Sequence, residues 1–492
     1  MNELTSASAS RPPGASVDER ELARRVASLS LERQVALLTG ADFWSLHPEP
    51  TVGLRRLVVS DGPAGVRGER PDGAPGAEVR FLAADGRVTA TELRDGASFN
   101  WWRPGAGSAV EPFARVEVHA VVVAIDAGEY AIAASGIGRY ALAVGGETVL
   151  DTRLELPPGT DVVVGLMVPP QAVHTLVLAA GEAVEVVLTH ELDPPGADGG
   201  GIGVSFQLNL LPPHGTDDEE IARAVELAAD ADAVVVVVGT TEEVESEGFD
   251  RASLALPGRQ DELVARVAAA HPSTVVVVNA GAPVLTPWAD EVAAVLLAWF
   301  PGQEFGHALA DVLLGDVEPG GRLPTTWPAV EDGLPSPHPV DGVLVYAEGL
   351  RVGYRAGRDR PAPRFPFGHG LGYTTWSWEA MSVPAAVRAG EPVSVSATVR
   401  NTGQRPGREV VQVYAARPGS AVARPERWLA GFAAVTAAPG EAVTATVVLA
   451  PRAFAHWDSA TRAWAWEPGR FTLSAGPSCA APALEGQIEL AA

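Results

Sequence analysis

Residues 231–240 read ADAVVVVVGT, and residues 245–251, close behind, read ESEGFDR. Five consecutive valines make a fully apolar run, the pattern of a strand buried on both faces in a parallel sheet, not the alternation of a half-exposed one. Where such a strand ends, α/β proteins place their working side chains, and here the end carries Glu245, Glu247, Asp250 and Arg251 around a glycine. The neighbours agree with a parallel sheet. TDDEEIARAVELAADA (216–231) is an amphipathic helix, LPGRQDELVARVAAAH (256–271) another, STVVVVNAG (273–281) a second valine strand, VAAVLLAW (292–299) a third, and GQEFGHALADVLLGD (302–316) a closing helix. Strands alternating with helices predict a parallel sheet covered on both faces.

Upstream the texture changes to period two. AEVRFLAADGRVTATELRD (77–95), ARVEVHAVVVAIDAGEYAIAASG (114–136), RYALAVGGETVLDTRLEL (139–156) and EAVEVVLTHEL (182–192) alternate, with turns signalled by Asp85-Gly86 and Gly145-Gly146. This predicts an all-β sandwich or barrel-like module ending near GVSFQLNLLPP (203–213). Downstream of the proline-rich stretch LPSPHPVDG (334–342), alternation returns in EPVSVSATVRNTG, GREVVQVYAARP and AVTATVVLAP, a small antiparallel sandwich. At the other end, Leu22, Val26, Leu29 and then Leu31, Val35, Leu38 fall at helical spacing, with Ser30 as N-cap and Gly40 as stop for the second helix. Leu57–Val59 is a short strand that breaks at Asp61-Gly62-Pro63.

Composition narrows the function. Of 492 residues, 47% are hydrophobic and 20% charged, the balance of a packed chain of about three domains. A formal charge of −25 opposes nucleic acid and anionic membrane as partners. All basic residues are Arg, and the single cysteine, Cys479, has no partner for an internal disulfide. The polar start MNELTSASASRPPGAS lacks the apolar centre of a signal peptide, so the expected compartment is the cytoplasm. The ten His are scattered without ligand spacing, and no G-x-S-x-G elbow or phosphate-binding G-x-x-x-x-G-K occurs; no metal or nucleotide cofactor is expected.

These segments also resemble a known family. LLTGADFW (37–44) with VVSDGPAGVRG (58–68), then ESEGFDRASLALPGRQDELV, NAGAPV, AWFPGQEFGHALADVLLGDVEPGGRLPTTWP, EGLRVGYR and FPFGHGLGYT, are similar to successive landmarks of glycoside hydrolase family 3, the β-glucosidase type. The β region resembles a PA14 domain, and the last sandwich a fibronectin-III-like domain. The resemblance implies a multidomain α/β plus all-β protein: residues 1–72 a fragment of a (β/α)8 barrel, 73–213 the PA14-like β domain, 214–377 the α/β sandwich with its parallel sheet and linker, and 378–492 the fibronectin-III-like domain.

It also implies a retaining mechanism, in which an Asp of the barrel attacks the anomeric carbon and a Glu protonates the leaving oxygen, the two carboxyls standing about 5–5.5 Å apart. Glu247 matches the Glu of the S-E-G-x-D-R pattern and takes the acid/base role. Asp61 and Arg67 match the S-D-G-P-x-G-x-R segment whose Asp holds sugar hydroxyls. A barrel takes roughly 250 residues, yet residues 1–72 alone precede the β module, and the family's S-D-W nucleophile segment does not occur. Three expectations follow: a hydrolase of β-glucosides whose isolated chain is inactive, a non-catalytic protein binding carbohydrate or a partner, or a deletion remnant. An unrecognised carboxylate or a complementing barrel chain would complete the site, and an unprotected sheet edge is expected to make the chain a homo-oligomer.

Each residue has a plainer role open to it. Glu247 can be a solvated loop carboxylate, Asp61 a turn cap, and Asp250 with Arg251 a pair that orients the loop. Trp101 and Trp102 are candidates for an exposed platform, with core placement expected for at least one. Trp457, Trp464 and Trp466 are expected in the core of the last sandwich.

Overall fold

The computed structural model describes residues 24–38, 40–42, 45–46, 48–54, 57–58, 77–94, 96–102, 113–160, 165, 169–192, 203–241, 244–246, 250–302 and 304–492. The chain divides into two bodies, Met1–Glu69 with Pro301–Gln303, and Arg70–Phe300 with Glu304–Ala492.

In the first body, residues 24–27 are helical and Ser30 caps helix α1 (Leu31–Ala36), its hydroxyl accepting from the Arg33 amide at 3.4 Å. The helix ends at Ala36 with Leu37 as its cap, so Gly40 does not stop it; Gly40 opens strand β1 (Gly40–Asp42). With β2 (Ser45–Leu46) and β3 (Leu57–Val58) it forms an antiparallel sheet, whereas strands of a (β/α)8 barrel pair in parallel. Arg33 Nε donates to Glu49 Oε2 at 2.7 Å and Thr51 N to Glu49 Oε1 at 3.1 Å. Burial pushes the Glu49 carboxyl up, but these bonds outweigh it and hold the group below the usual carboxylate range.

The alternating segments of the second body form the expected β sandwich. Strands β4 (Ala77–Leu82), β5 (Val88–Arg94), β6 (Ser98–Trp102), β7 (Arg115–Val123), β8 (Gly128–Gly136), β9 (Gly138–Val144), β10 (Glu147–Leu154), β11 (Gln171–Leu178), β12 (Ala183–Glu191) and β13 (Gly203–Leu211) make a six-stranded sheet, β10-β9-β12-β7-β4-β5, and a four-stranded one, β11-β8-β13-β6. Inward residues such as Val79, Phe99, Val118, Leu142 and Phe206 fill the space between them. Gly145 and Gly146 turn β9 into β10 with φ of 58° and 84°, a two-residue turn closed to most L side chains. Trp101 belongs to this core, stacked on Phe99 at 5.6 Å and edge-on to Phe81 at 5.3 Å, with its indole N–H donating to Glu92 at 3.2 Å. It is no platform; the Trp102 side chain lies outside the described residues.

The valine strands follow. Thr216 and Glu219 close a capping box on α2 (Asp217–Ala229). Strand β14 (Val234–Gly239) pairs in parallel with β15 (Thr274–Asn279), and β15 with β16 (Ala294–Leu297); α3 (Gln260–Ala270) and α4 (Phe305–Leu314) complete the set. One sheet face is dry: Val236, Val238, Val276 and Val278 pack against Ala228 of α2 and Val264 and Val267 of α3. The expectation of cover on both faces fails at β14. It is an edge strand, its opposite residues Val235 and Val237 are 46% and 54% exposed, and α4 buries no residue. None of the described helices packs over them.

The last sandwich begins at Trp376, two residues before the expected boundary. Its strands are β17 (Trp376–Ser382), β18 (Ala386–Arg388), β19 (Val393–Asn401), β20 (Gly407–Ala416), β21 (Trp428–Ala437), β22 (Ala442–Leu449), β23 (Ala455–Asp458), β24 (Ala463–Trp466), β25 (Gly469–Gly476) and β26 (Leu484–Ala491). Sheets β17-β19-β22 and β18-β26-β25-β20-β21 enclose Val395, Val399, Val413, Phe471 and Ile488. All pairings are antiparallel except β18 with β26, which is parallel. The proline-rich connection is bonded to this sandwich: Arg322 Nη2 donates to buried Glu409 at 3.0 Å, Gln412 Nε2 to the Gly368 carbonyl at 3.0 Å, and the Leu429 amide to Tyr354 Oη at 2.8 Å. Cys479 lies on the same seam. Its amide donates to the Phe367 carbonyl at 3.1 Å, its carbonyl accepts from Arg427 at 2.8 Å, and burial pushes its thiol pKa up.

Trp466 packs on this core as expected, but Trp457 and Trp464 do not. They stand on the separate ribbon β23-β24, 52% and 40% exposed. Among the described residues no helix is long and apolar enough to cross a membrane.

Candidate active site

Three parallel strands deliver their carboxyl ends to one edge, and the loop after β14 is the most heavily braced of those described. It begins where β14 and β15 converge: a Cβ at Gly239 would meet the Asn279 carbonyl oxygen at 2.1 Å, so glycine is required there. Gln260, at the start of α3, clamps the same residue twice, accepting from the Gly239 amide at 2.7 Å and donating to its carbonyl at 2.9 Å.

Beyond it, the chain makes one turn, with the Glu245 amide donating to the Thr241 carbonyl at 2.9 Å. That turn brings the Glu245 carboxylate over the strand ends. Its Oε2 accepts from the Thr240 hydroxyl at 2.6 Å and from the Gly281 amide, in the loop after β15, at 3.3 Å. Arg251 closes the loop from the far side: its Nη1 stands 4.0 Å from Glu245 Oε2 and donates to the Pro283 carbonyl at 3.1 Å. Both side chains are largely buried, which strengthens the attraction between them relative to a surface pair. Arg251 therefore orients the loop as expected, but through Glu245; Asp250 is exposed.

A second layer supports the first. The Leu285 amide donates to the Leu254 carbonyl at 2.8 Å, tying the loop after β15 to the one after β14. Trp288 donates its indole N–H to Asp261 at 2.7 Å, and Trp327 to the Val284 carbonyl at 2.5 Å. Burial pushes the Asp261 carboxyl up, offset in part by that bond. Trp299, just past β16, holds φ of 56°, a left-handed conformation that is strained for a bulky residue.

Glu247, Asp61 and Arg67 all lie outside the described residues. What is described are the flanks of Glu247, namely Glu245 and Ser246 before it and Asp250 and Arg251 after it. Sequence reasoning passed over Glu245 and Gln260 as braces. The signal was present in ESEGFDR and LPGRQ, but a loop carboxylate and a helix-start glutamine have many possible partners, and only the convergence of strand ends selects these. Among the described residues no group of three or more His, Cys, Asp and Glu could hold a metal ion.

Comparison with known proteins adds a family. The model of the glycosyl hydrolase family 3 C-terminal domain matches residues 62–373, and that of the fibronectin type III-like domain matches residues 409–479. A beta-glucosidase of Rhizobium radiobacter is 37% identical over 406 residues, covering 80% of this chain and 47% of that protein. A probable beta-glucosidase I of Aspergillus terreus is 38% identical over 368 residues, 70% of this chain and 43% of its own. Among solved structures, a beta-glucosidase from Kluyveromyces marxianus in complex with glucose aligns with a TM-score of 0.72 at 29% identity over 85% of this chain and 50% of that one. One from Streptomyces venezuelae in complex with D-glucose aligns with a TM-score of 0.55 at 34% identity, over 80% and 47%. The chain thus spans about half the length of the curated relatives it matches.

Proposed function

The chain belongs to glycosyl hydrolase family 3, and from that premise we propose that it carries half of a β-glucosidase-type site, the half that handles the proton. Glu247 is the acid/base of a retaining reaction on O-glycosidic bonds of β-glucosides: as an acid it protonates the leaving oxygen, then as a base it takes a proton from the attacking water. Asp61 and Arg67 hold sugar hydroxyls. Residues 1–72 descend from the opening of a (β/α)8 barrel, and the β sandwich that lies within the matched span is a PA14-like insertion.

The observation that carries this reading is the braced loop itself. Glu245 and Arg251 are tied to each other and to Gly281 and Pro283 on either side of Glu247, at the carboxyl ends of parallel strands where α/β proteins hold ligands. The attacking Asp belongs to the barrel segments this sequence lacks, so the isolated chain does not turn over. Each power of ten lost corresponds to about 1.4 kcal/mol of barrier, and a proton donor alone does not recover it. A cytoplasmic carbohydrate ligand, without nucleic acid, membrane or cofactor, completes the proposal.

The test is release of aryl alcohol from an aryl β-glucoside. The purified chain is expected to give the buffer rate; release that Glu247→Gln abolishes would overturn the inactive-chain reading. A second reading, a protein that works with a complementing barrel chain or as a homo-oligomer, is favoured by the uncovered valines of β14, an edge that further strands or helices could cover.

A further inference from the structure

The ribbon β23-β24 holds the most conspicuous exposed aromatic surface of the described C-terminal sandwich. Trp457 and Trp464 are directly opposite one another in its register, so both indoles project from one face. Their ring centroids are 5.6 Å apart and their planes 71° apart, making an open corner. The guanidinium of Arg452 sits 4.0 Å from the centre of the Trp464 ring.

The mount is rigid. Trp466, next along the same face, donates its N–H to the Pro451 carbonyl at 3.1 Å and packs on the sandwich core. Arg424 donates to the carbonyls of Phe454 and Ala455 at 3.3 Å each. At the turn, Asp458 accepts from the Ala460 amide at 2.9 Å and the Thr461 hydroxyl at 2.7 Å.

We propose that this corner is a carbohydrate-binding site that seats one or two glucose units of a β-linked glucan. An indole buries roughly 150–250 Å² when enclosed, so two half-exposed ones offer roughly 200 Å² at most. A standard protein interface needs about 800 Å² per partner. The patch is too small to hold a folded protein, and the formal charge of −25 opposes a second copy docking through so little area. It matches the face of a pyranose ring.

The chemistry matches as well. In β-linked glucose every ring substituent is equatorial, so each face is a flat array of axial C–H bonds whose weakly positive hydrogens meet the negative face of an indole. The hydroxyls lie at the rim, within the scope of guanidinium and indole N–H donors. Because the indoles are held in place by each other and by Arg452, little rotamer freedom is lost on binding. The choice of β-linkage rests on the family reading; binding itself needs no turnover.

Titration of the whole chain with cellohexaose, followed by tryptophan fluorescence and calorimetry, tests the assignment. Binding in the range of about 0.1–1 mM is expected for so small a contact. Trp457→Ala weakens it by at least about tenfold, one power of ten in the equilibrium constant, while its thermal melt stays unchanged. Trp457→Phe, which keeps an aromatic face, retains most of it.

No saturable binding, or binding that Trp457→Ala leaves intact, overturns the site. Equal affinity for maltohexaose overturns the linkage, and a change in sedimentation between wild type and Trp457→Ala points to a protein contact and overturns the ligand. Cellohexaose binding needs no turnover and is read whether or not an aryl β-glucoside is hydrolysed, so failure of the catalytic reading and failure of this one are told apart.

Discussion

His369 is stacked on Phe365 with ring centroids 5.3 Å apart, on the connection between the parallel sheet and the last sandwich. Burial, and then the charge of Arg322, hold its pKa below the ordinary 6.5. A histidine kept neutral by the fold binds its proton less tightly folded than unfolded. Its contribution is therefore intact above 6.5 and lost as the pH falls below that value. Melting temperature is expected to drop between pH 7.5 and about 5, and His369→Gln to flatten that drop in a fluorimetric melt. Gly281 gives a second test. A Cβ there would lie 2.6 Å from Phe300 Cε2 and 2.8 Å from Glu245 Oε1. Gly281→Ala should cost about 1–3 kcal/mol in a urea titration and disturb the Glu245 brace first. At this scale the sequence was legible where a residue acts on its immediate neighbours, as Ser30 does in capping. It was not legible for Glu245, whose partners Gly281 and Arg251 reach it from separate loops.

The elements themselves were predictable because their periods differ. Runs such as Val234–Val238 and Val275–Val278 gave strands, helical spacing gave α2, α3 and α4, and paired glycines gave the β9–β10 turn. What periodicity misses is whether a strand's second face has a neighbour. The same valines that bury Val236 and Val238 leave Val235 and Val237 in water, because β14 ends the sheet. Likewise, Trp457, Trp464 and Trp466 were all expected in the core, but the ribbon that carries them runs past it, so only Trp466 is enclosed. An edge strand of valines without a charged or proline residue invites pairing. Val237→Lys is expected to lower concentration-dependent association in sedimentation velocity without lowering the melting temperature, since the side chain it replaces is 54% exposed. Unchanged sedimentation would mean that β14 is not the contact.

For the whole molecule, domain order was written in texture: alternating, continuous, alternating. Strand β17 starts at Trp376, directly on the connection it grows from. A formal charge of −25 works against compactness, so raising ionic strength from about 0.01 M to about 0.15 M, which shortens the screening length from ~30 Å to ~8 Å, is expected to raise the melting temperature. The seam between the sheet's connection and the last sandwich carries one more use. Cys479 is the single thiol of the chain, its backbone tied to Phe367 and Arg427 and its half-buried side chain reluctant to ionise. Alkylation at that sulfur is expected to be slow at neutral pH and to quicken when the two parts come away from each other. A rise in the rate at which one reagent molecule is taken up, against that slow baseline, would register any loosening of this joint without an added label.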